Sequence, residues 1–150
     1  RSVVPQKDHA SAWFFRAKMC AINSMLRPNT IVFLITISII AGVHIIALEL
    51  YLYWRFIWFD VPMHFLGGTA ITLGIFAFAD LRIPPFPEVR GQWLPILSFL
   101  LPVMIGWELF ALWDGIPIET NYWFDTFIDI IMGLTGGAVG YYVAKRLSTL

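Results

Sequence analysis

Five polar side chains in apolar surroundings could carry chemistry in this sequence. Four are acids and one is a histidine: Asp60, His64, Glu108, Asp125 and Asp129. Carboxylate oxygens together with one imidazole nitrogen suit a divalent cation such as magnesium, manganese, iron or zinc. The predicted metal ligands are Asp60, His64, Glu108 and Asp129. Asp125 is the predicted catalytic residue, acting as the base for a water on the bound ion.

The spacing of these residues indicates that they form two pairs on helix faces. Asp60 lies four residues before His64, and Asp125 lies four residues before Asp129, which is the separation of stacked side chains on an α-helix. Alternative roles are also open to these acids. Asp60 and Asp125 could simply stabilise helix starts, and the acids could share protons instead of binding a metal. Arg55 could also neutralise part of the cluster through a salt bridge.

The elements that must position these residues are apolar helices. Hydrophobic residues make up 59% of the chain and charged residues only 13%, which is far from the balance of a soluble domain. Four stretches approach the roughly 20 apolar residues that a helix needs to cross hydrocarbon. They lie at about 31–53, 61–80, 93–113 and 124–144. We therefore predict an all-α fold, an integral membrane bundle of four transmembrane helices within residues 31–150.

Residues 1–30 form a second predicted unit with a different pattern. Aromatic residues such as Trp13 and Phe14 mingle there with basic residues such as Arg16 and Lys18. This mixture predicts a cytoplasmic amphipathic helix that lies in the membrane interface, with its basic side toward the lipid headgroups. An irregular tail bound to a partner is the alternative.

The distribution of lysine and arginine predicts the orientation of the bundle. Nine of the ten lie on the side of the two termini, and only Arg55 lies on the other side. Positively charged loops resist translocation, so both termini should be cytoplasmic. The predicted location is the inner membrane of a prokaryotic cell, with the five site residues in its outer third. His44 and Glu49 are not assigned to the site, because a separation of five residues turns them to different faces.

Charge and cysteine content exclude several classes of function. The formal net charge is zero, which argues against a nucleic-acid partner. Cys20 is the only cysteine, so the chain can form no intramolecular disulfide, zinc finger or redox CxxC pair. The lipid bilayer is the predicted partner.

Glycines at helical spacing predict close packing of the fourth span. Gly133 to Gly137 and Gly136 to Gly140 form overlapping GxxxG patterns. Helical steps from Asp129 lead onto the same glycines, so the acidic face and the packing face should coincide. The acids are therefore expected to point toward the bundle axis.

Three short motifs in a fixed order resemble a known family. They are Asp60-Val-Pro-Met-His64, Trp107-Glu108 and Asp125-Thr-Phe-Ile-Asp129, the last followed by the glycine-rich stretch. On these motifs, residues from about 50 to 144 resemble small bacterial and archaeal membrane proteins of the YjdF type and, more distantly, the VanZ group. VanZ-like proteins tend to have an asparagine where Asp129 stands here. The resemblance implies the helical membrane architecture and a shared site at the five matching positions, and it names no reaction.

Three functions are compatible with this pattern. The first is a metal-dependent hydrolase or transferase that acts on a lipid headgroup or an envelope precursor. The second is a non-catalytic accessory subunit of a larger membrane complex, in which the acids form assembly contacts. The third is a transporter or proton channel, although the inner halves of the predicted spans contain few polar residues along which an ion could pass.

Overall fold

The chain folds into a bundle of helices. A computed structural model describes residues 12–14, 16, 19, 27–89, 91–114 and 121–149, and within these ranges there are helices and turns but no strand. The long helices are α1 (Pro28–Glu49), α3 (Asp60–Asp80), α5 (Trp93–Asp114) and α6 (Tyr122–Leu147). The short elements are α2 (Leu52–Arg55), a 3₁₀ turn (Ile57–Phe59) and α4 (Phe86–Val89).

All four long helices are long and apolar enough to cross a membrane. This confirms the predicted all-α bundle of four transmembrane helices. Three of the four begin and end within about three residues of the predicted bounds. Residues 12–14, 16 and 19 are helical, but most of the segment 1–30 lies outside the described residues, and its interfacial placement stays a prediction.

The bounds of α1 differ from the prediction at both ends. It begins at Pro28 rather than near residue 31, because proline is tolerated in the first helical turn. It ends at Glu49 rather than near residue 53. Tyr51 then adopts a left-handed backbone with φ 56°, which turns the chain before α2. The apolar and aromatic run continues through this break, so hydropathy alone gave no sign of it.

The most extensive packing in the bundle is between α3 and α6. Their backbones approach so closely that a Cβ added at Gly68 would collide with the carbonyl of Gly133. A Cβ at Gly136 would likewise collide with the carbonyl of Phe65. Small residues allow this approach, which gives van der Waals packing that lipid tails cannot replace. The predicted role of the glycines in close packing agrees with these contacts.

Contacts between distant residues show how the four long helices are arranged. The start of α3 meets the start of α6 and the end of α5, while the end of α3 meets the start of α1 and the end of α6. We call the first of these the acidic end of the bundle and the second the basic end. An apolar cluster fills the bundle toward the basic end, with Leu73, Phe76, Ile96 and Ala144 almost completely buried.

Four polar residues form a network at the basic end, which we call the basic-end cluster. Asn29 and Asp80 are buried, and Arg27 and Ser148 are exposed. The Nη1 atom of Arg27 lies 3.3 Å from Oδ1 of Asp80. The Asn29 amide donates to Oδ2 of Asp80 at 3.2 Å and to the hydroxyl oxygen of Ser148 at 3.0 Å. This cluster joins the ends of α1, α3 and α6. The sequence did not predict that these four residues would meet.

Candidate metal centre

Three carboxylate oxygens from three helices surround one ring nitrogen of His64. Its Nε2 lies 3.3 Å from Oδ2 of Asp60, 3.5 Å from Oε1 of Glu108 and 3.8 Å from Oδ2 of Asp129. These four residues are the predicted metal ligands, and we call them the acidic-end cluster. The structure brings all four together although up to 69 positions separate them in the chain.

This geometry resembles a coordination shell more than a hydrogen-bonded group. Nε2 of His64 can donate at most one hydrogen, so it cannot satisfy three carboxylate oxygens at once. Ligands at about 2.0–2.2 Å from a tetrahedral zinc ion are about 3.4 Å from one another. The three observed distances lie near that value. One cation among Asp60, His64 and Asp129 would therefore contact one oxygen of each aspartate and the imidazole nitrogen.

Within the cluster, three residues form the tightest group. One ligand atom each from Asp60, His64 and Asp129 lies within 4.8 Å of both others. Glu108 approaches His64 from α5. Three protein ligands with a fourth position nearby are typical of catalytic zinc sites, whereas four fixed ligands are typical of structural sites.

The backbone contact between α3 and α6 explains why these side chains meet. Gly68 lies four residues after His64, and Gly133 lies four residues after Asp129. The Gly68–Gly133 contact is thus about one helical turn below the cluster. It holds the two helices close enough for His64 and Asp129 to face each other.

The cluster is buried and poor in cations. Exposed fractions are 1% for the side chain of Asp129, 10% for His64 and 11% for Glu108, while Asp60 is 43% exposed. Oδ1 of Asp129 is buried and has no hydrogen-bond partner among the described residues. Over the same part of the chain, no lysine or arginine lies within 4.0 Å of these carboxylates. Arg55 is exposed, so its predicted neutralising contact gains no support.

Asp125, the predicted base, lies beside the cluster. It is in the first turn of α6, is partly buried, and interacts electrostatically with Asp60 and His64. Asp60 and Asp125 both occupy first turns, where a carboxylate also stabilises the positive end of the helix dipole. Helix stabilisation and a role in the site are therefore compatible for both residues.

Thr126 was missed by the sequence analysis and contacts the cluster directly. Its hydroxyl donates to Oε2 of Glu108 at 3.2 Å. This bond occupies one carboxylate oxygen and leaves Oε1 facing His64. Hydrogen bonds from residues that do not themselves bind the metal orient the residues that do. The available signal was the position of Thr126 three residues before Asp129, on the same helix face.

His44 and Glu49 behave differently from the cluster residues. Glu49 is exposed at the last position of α1. His44 forms a hydrogen bond between its Nδ1 and the hydroxyl oxygen of Tyr53, at 2.8 Å. Their exclusion from the metal ligands therefore agrees with the observed contacts.

Comparisons with protein-family models, curated proteins and solved structures gave no match. The function must therefore be argued from the site itself.

Proposed function

We propose that this chain is a membrane protein that binds a divalent metal ion at the acidic end of its bundle. The observation that carries the proposal is the convergence of three carboxylate oxygens on Nε2 of His64, with no lysine or arginine among the described residues in contact with them. Buried acids that repel one another are costly in a low-dielectric interior, and a cation removes that cost. The buried Oδ1 of Asp129, which no described donor contacts, also favours a ligand at this position.

The donor set favours zinc, manganese, iron or magnesium as the ion. Asp60, His64 and Asp129 would form the inner ligands, and Glu108 would occupy or border the fourth position. Because Asp60 is the most exposed member, the site would open past its side chain. Water or a substrate oxygen could then reach the ion from the acidic end.

The reaction that best fits this arrangement is hydrolysis or group transfer on an ester of a lipid headgroup or envelope precursor. The ion would supply a Lewis acid that makes water more acidic, and the Asp125 carboxylate would accept the proton that the water loses as its oxygen attacks the ester carbon or phosphorus. The ester bond to the leaving alcohol would break, and the alcohol oxygen would take the proton from Asp125. In a transferase, an acceptor hydroxyl would replace the water.

The orientation and family belong to the same proposal. An external position of the acidic end, with both termini in the cytoplasm of a prokaryote, rests on the distribution of basic residues. Membership of the YjdF-type family rests on the three motifs. The exposed Trp54, Trp58, Trp113 and Trp123 support a membrane interface at the acidic end.

Metal binding is tested on the full chain purified in mild detergent. We expect one zinc or manganese ion per chain by elemental analysis and a saturable calorimetric titration. A ligand at 100 times its dissociation constant should stabilise the fold by about 2.7 kcal/mol, seen as a higher thermal midpoint that chelator reverses. His64→Ala should abolish both effects.

Glu49→Gln is the matched control, because it removes a carboxylate at the same end of the bundle outside the cluster. It should leave stoichiometry and affinity unchanged. A wild-type protein with no bound divalent ion and the same midpoint in chelator would refute the metal centre. Asp125→Asn tests the reaction separately: it should keep the ion and lose turnover of phospholipid mixtures followed by mass spectrometry.

A further inference from the structure

A hydrogen-bonded pair outside the metal ligands links α1 to the connection that leads into α3. Nδ1 of His44 and the hydroxyl oxygen of Tyr53 are 2.8 Å apart, and the two rings meet edge to face with centroids 5.7 Å apart. His44 lies on α1 and Tyr53 on α2, on either side of the left-handed turn at Tyr51. A side-chain hydrogen bond therefore joins the two helices on either side of this turn.

Few other side chains anchor this connection. Large residues along it are exposed, namely Leu50, Tyr51, Trp54, Phe56 and Trp58. Tyr53 is partly buried, and its ring packs edge to face on Phe59 with centroids 5.2 Å apart. Phe59 immediately precedes Asp60. Tyr53 thus contacts α1 through its hydroxyl and, through its ring, the residue that precedes α3.

Asp60 is the ligand that depends most on this support. It is the first residue of α3, and its side chain is the most exposed of the four in the acidic-end cluster. His64, Glu108 and Asp129 are instead held within long helices that pack on one another. A small movement of residues 57–59 would displace Asp60 before it displaced the other three.

Tyr53 also interacts electrostatically with Asp60. Burial, together with the charge of Asp60, raises the pKa of Tyr53 to about 12. The phenol therefore stays protonated at neutral pH and can donate its hydrogen to Nδ1 of His44.

We propose that His44 and Tyr53 are positioning residues that hold Asp60 in place as a metal ligand. This inference rests on the proposed metal centre. Under this inference, α1 supplies no metal ligand but helps to position one. The pair acts through the chain segment before α3 and does not touch the ion.

A double-mutant cycle tests this role. Tyr53→Phe removes only the hydroxyl, and we expect it to weaken zinc affinity about tenfold, at the low end of the range for residues that support metal ligands. In an Asp60→Asn background the same substitution should have no further effect, because the ligand that it positions is gone. Cobalt substituted for zinc should show a changed visible spectrum in Tyr53→Phe, which reports altered ligand geometry.

His44 provides a second series that does not depend on the folding of Tyr53→Phe. His44→Leu should weaken zinc affinity as Tyr53→Phe does, and His44→Gln should restore it, because the amide oxygen can accept from the Tyr53 hydroxyl. Tyr51→Phe, an exposed tyrosine in the same connection, is the matched control and should bind zinc normally.

Two results would overturn the inference: a wild-type affinity in Tyr53→Phe, or equal losses with and without Asp60. A wild-type protein that binds no divalent ion would instead refute the metal centre itself.

Discussion

The two polar clusters of this protein lie at opposite ends of the same pair of helices and differ in charge balance. At the basic end, the single carboxylate of Asp80 contacts the guanidinium of Arg27 and the amide of Asn29. At the acidic end, three carboxylates surround one imidazole, and no lysine or arginine within the described residues contacts them. Each cluster contains one almost completely buried aspartate, Asp80 or Asp129, so burial of an acid does not distinguish them.

The difference indicates what each cluster does. The basic-end cluster supplies its own counter-charge and hydrogen bonds, so it can hold the ends of α1, α3 and α6 together without a ligand. The acidic-end cluster has an excess of negative charge that only protons or a cation from outside can balance. An unbalanced buried cluster is thus a better indicator of a binding site than a buried polar residue alone.

Exchanging one acid for its amide at each end should give the largest difference between the clusters. Asp129→Asn should weaken zinc affinity by at least about 100-fold, more than is usual for residues outside the ligand shell. Asp80→Asn should leave zinc affinity unchanged, since it lies at the far end of α3. Calorimetric titration of both variants measures this.

The same two variants should change the stability of the metal-free protein in opposite directions. Asp80→Asn removes the partner of Arg27 and should lower the thermal midpoint. Asp129→Asn removes one of three carboxylates that share a single imidazole, which lessens their mutual repulsion and should raise it. A thermal midpoint of Asp129→Asn below that of the wild type in chelator would mean that the charges at the acidic end are balanced without metal. The two ends would then not differ in charge balance.

A methyl group at the α3–α6 contact should weaken the arrangement that joins the clusters. Gly68→Ala places a Cβ against the carbonyl of Gly133, and overpacking of this kind costs about 1–3 kcal/mol. We expect a lower thermal midpoint and weaker zinc binding, because the contact lies one turn below His64.

Gly67→Ala is the control for this substitution, as a Cβ there meets nothing within 4 Å. Both changes exchange glycine for alanine within α3, so their helix propensities change equally. Gly67→Ala should bind zinc normally and keep or raise the midpoint. Similar behaviour of the two variants would show that the close approach of α3 and α6 does not build the site.

The smallest expected effect concerns Thr126. Thr126→Val removes the hydrogen bond to Oε2 of Glu108 and keeps the side-chain shape, so we expect about tenfold weaker zinc binding. Thr126→Ser retains a hydroxyl and should recover most of the affinity. If valine and threonine bind zinc equally well, Glu108 does not need this bond to face His64.

Hydropathy and helical spacing predicted the four spans and the level of the site residues. Both signals are local: about 20 consecutive apolar residues identify a span, and a separation of four residues identifies a shared face. The pairing of Asp60 with His64 could be predicted from the sequence, because both residues lie four positions apart on one helix. The break after Glu49 could not be predicted, because the apolar pattern continues through it and the Tyr53–His44 contact across the turn joins two separate helices.

The sequence by itself thus determined four apolar helices and placed four acids and one histidine near one end of them. Only the tertiary structure decided that oxygens from α3, α5 and α6 share one nitrogen of His64, and that Asp80 meets Arg27 instead. The physical reason is that these contacts join residues tens of positions apart. Helix rotation and the close approach at Gly68 and Gly133 set them, and neither follows from the order of residues along a single helix.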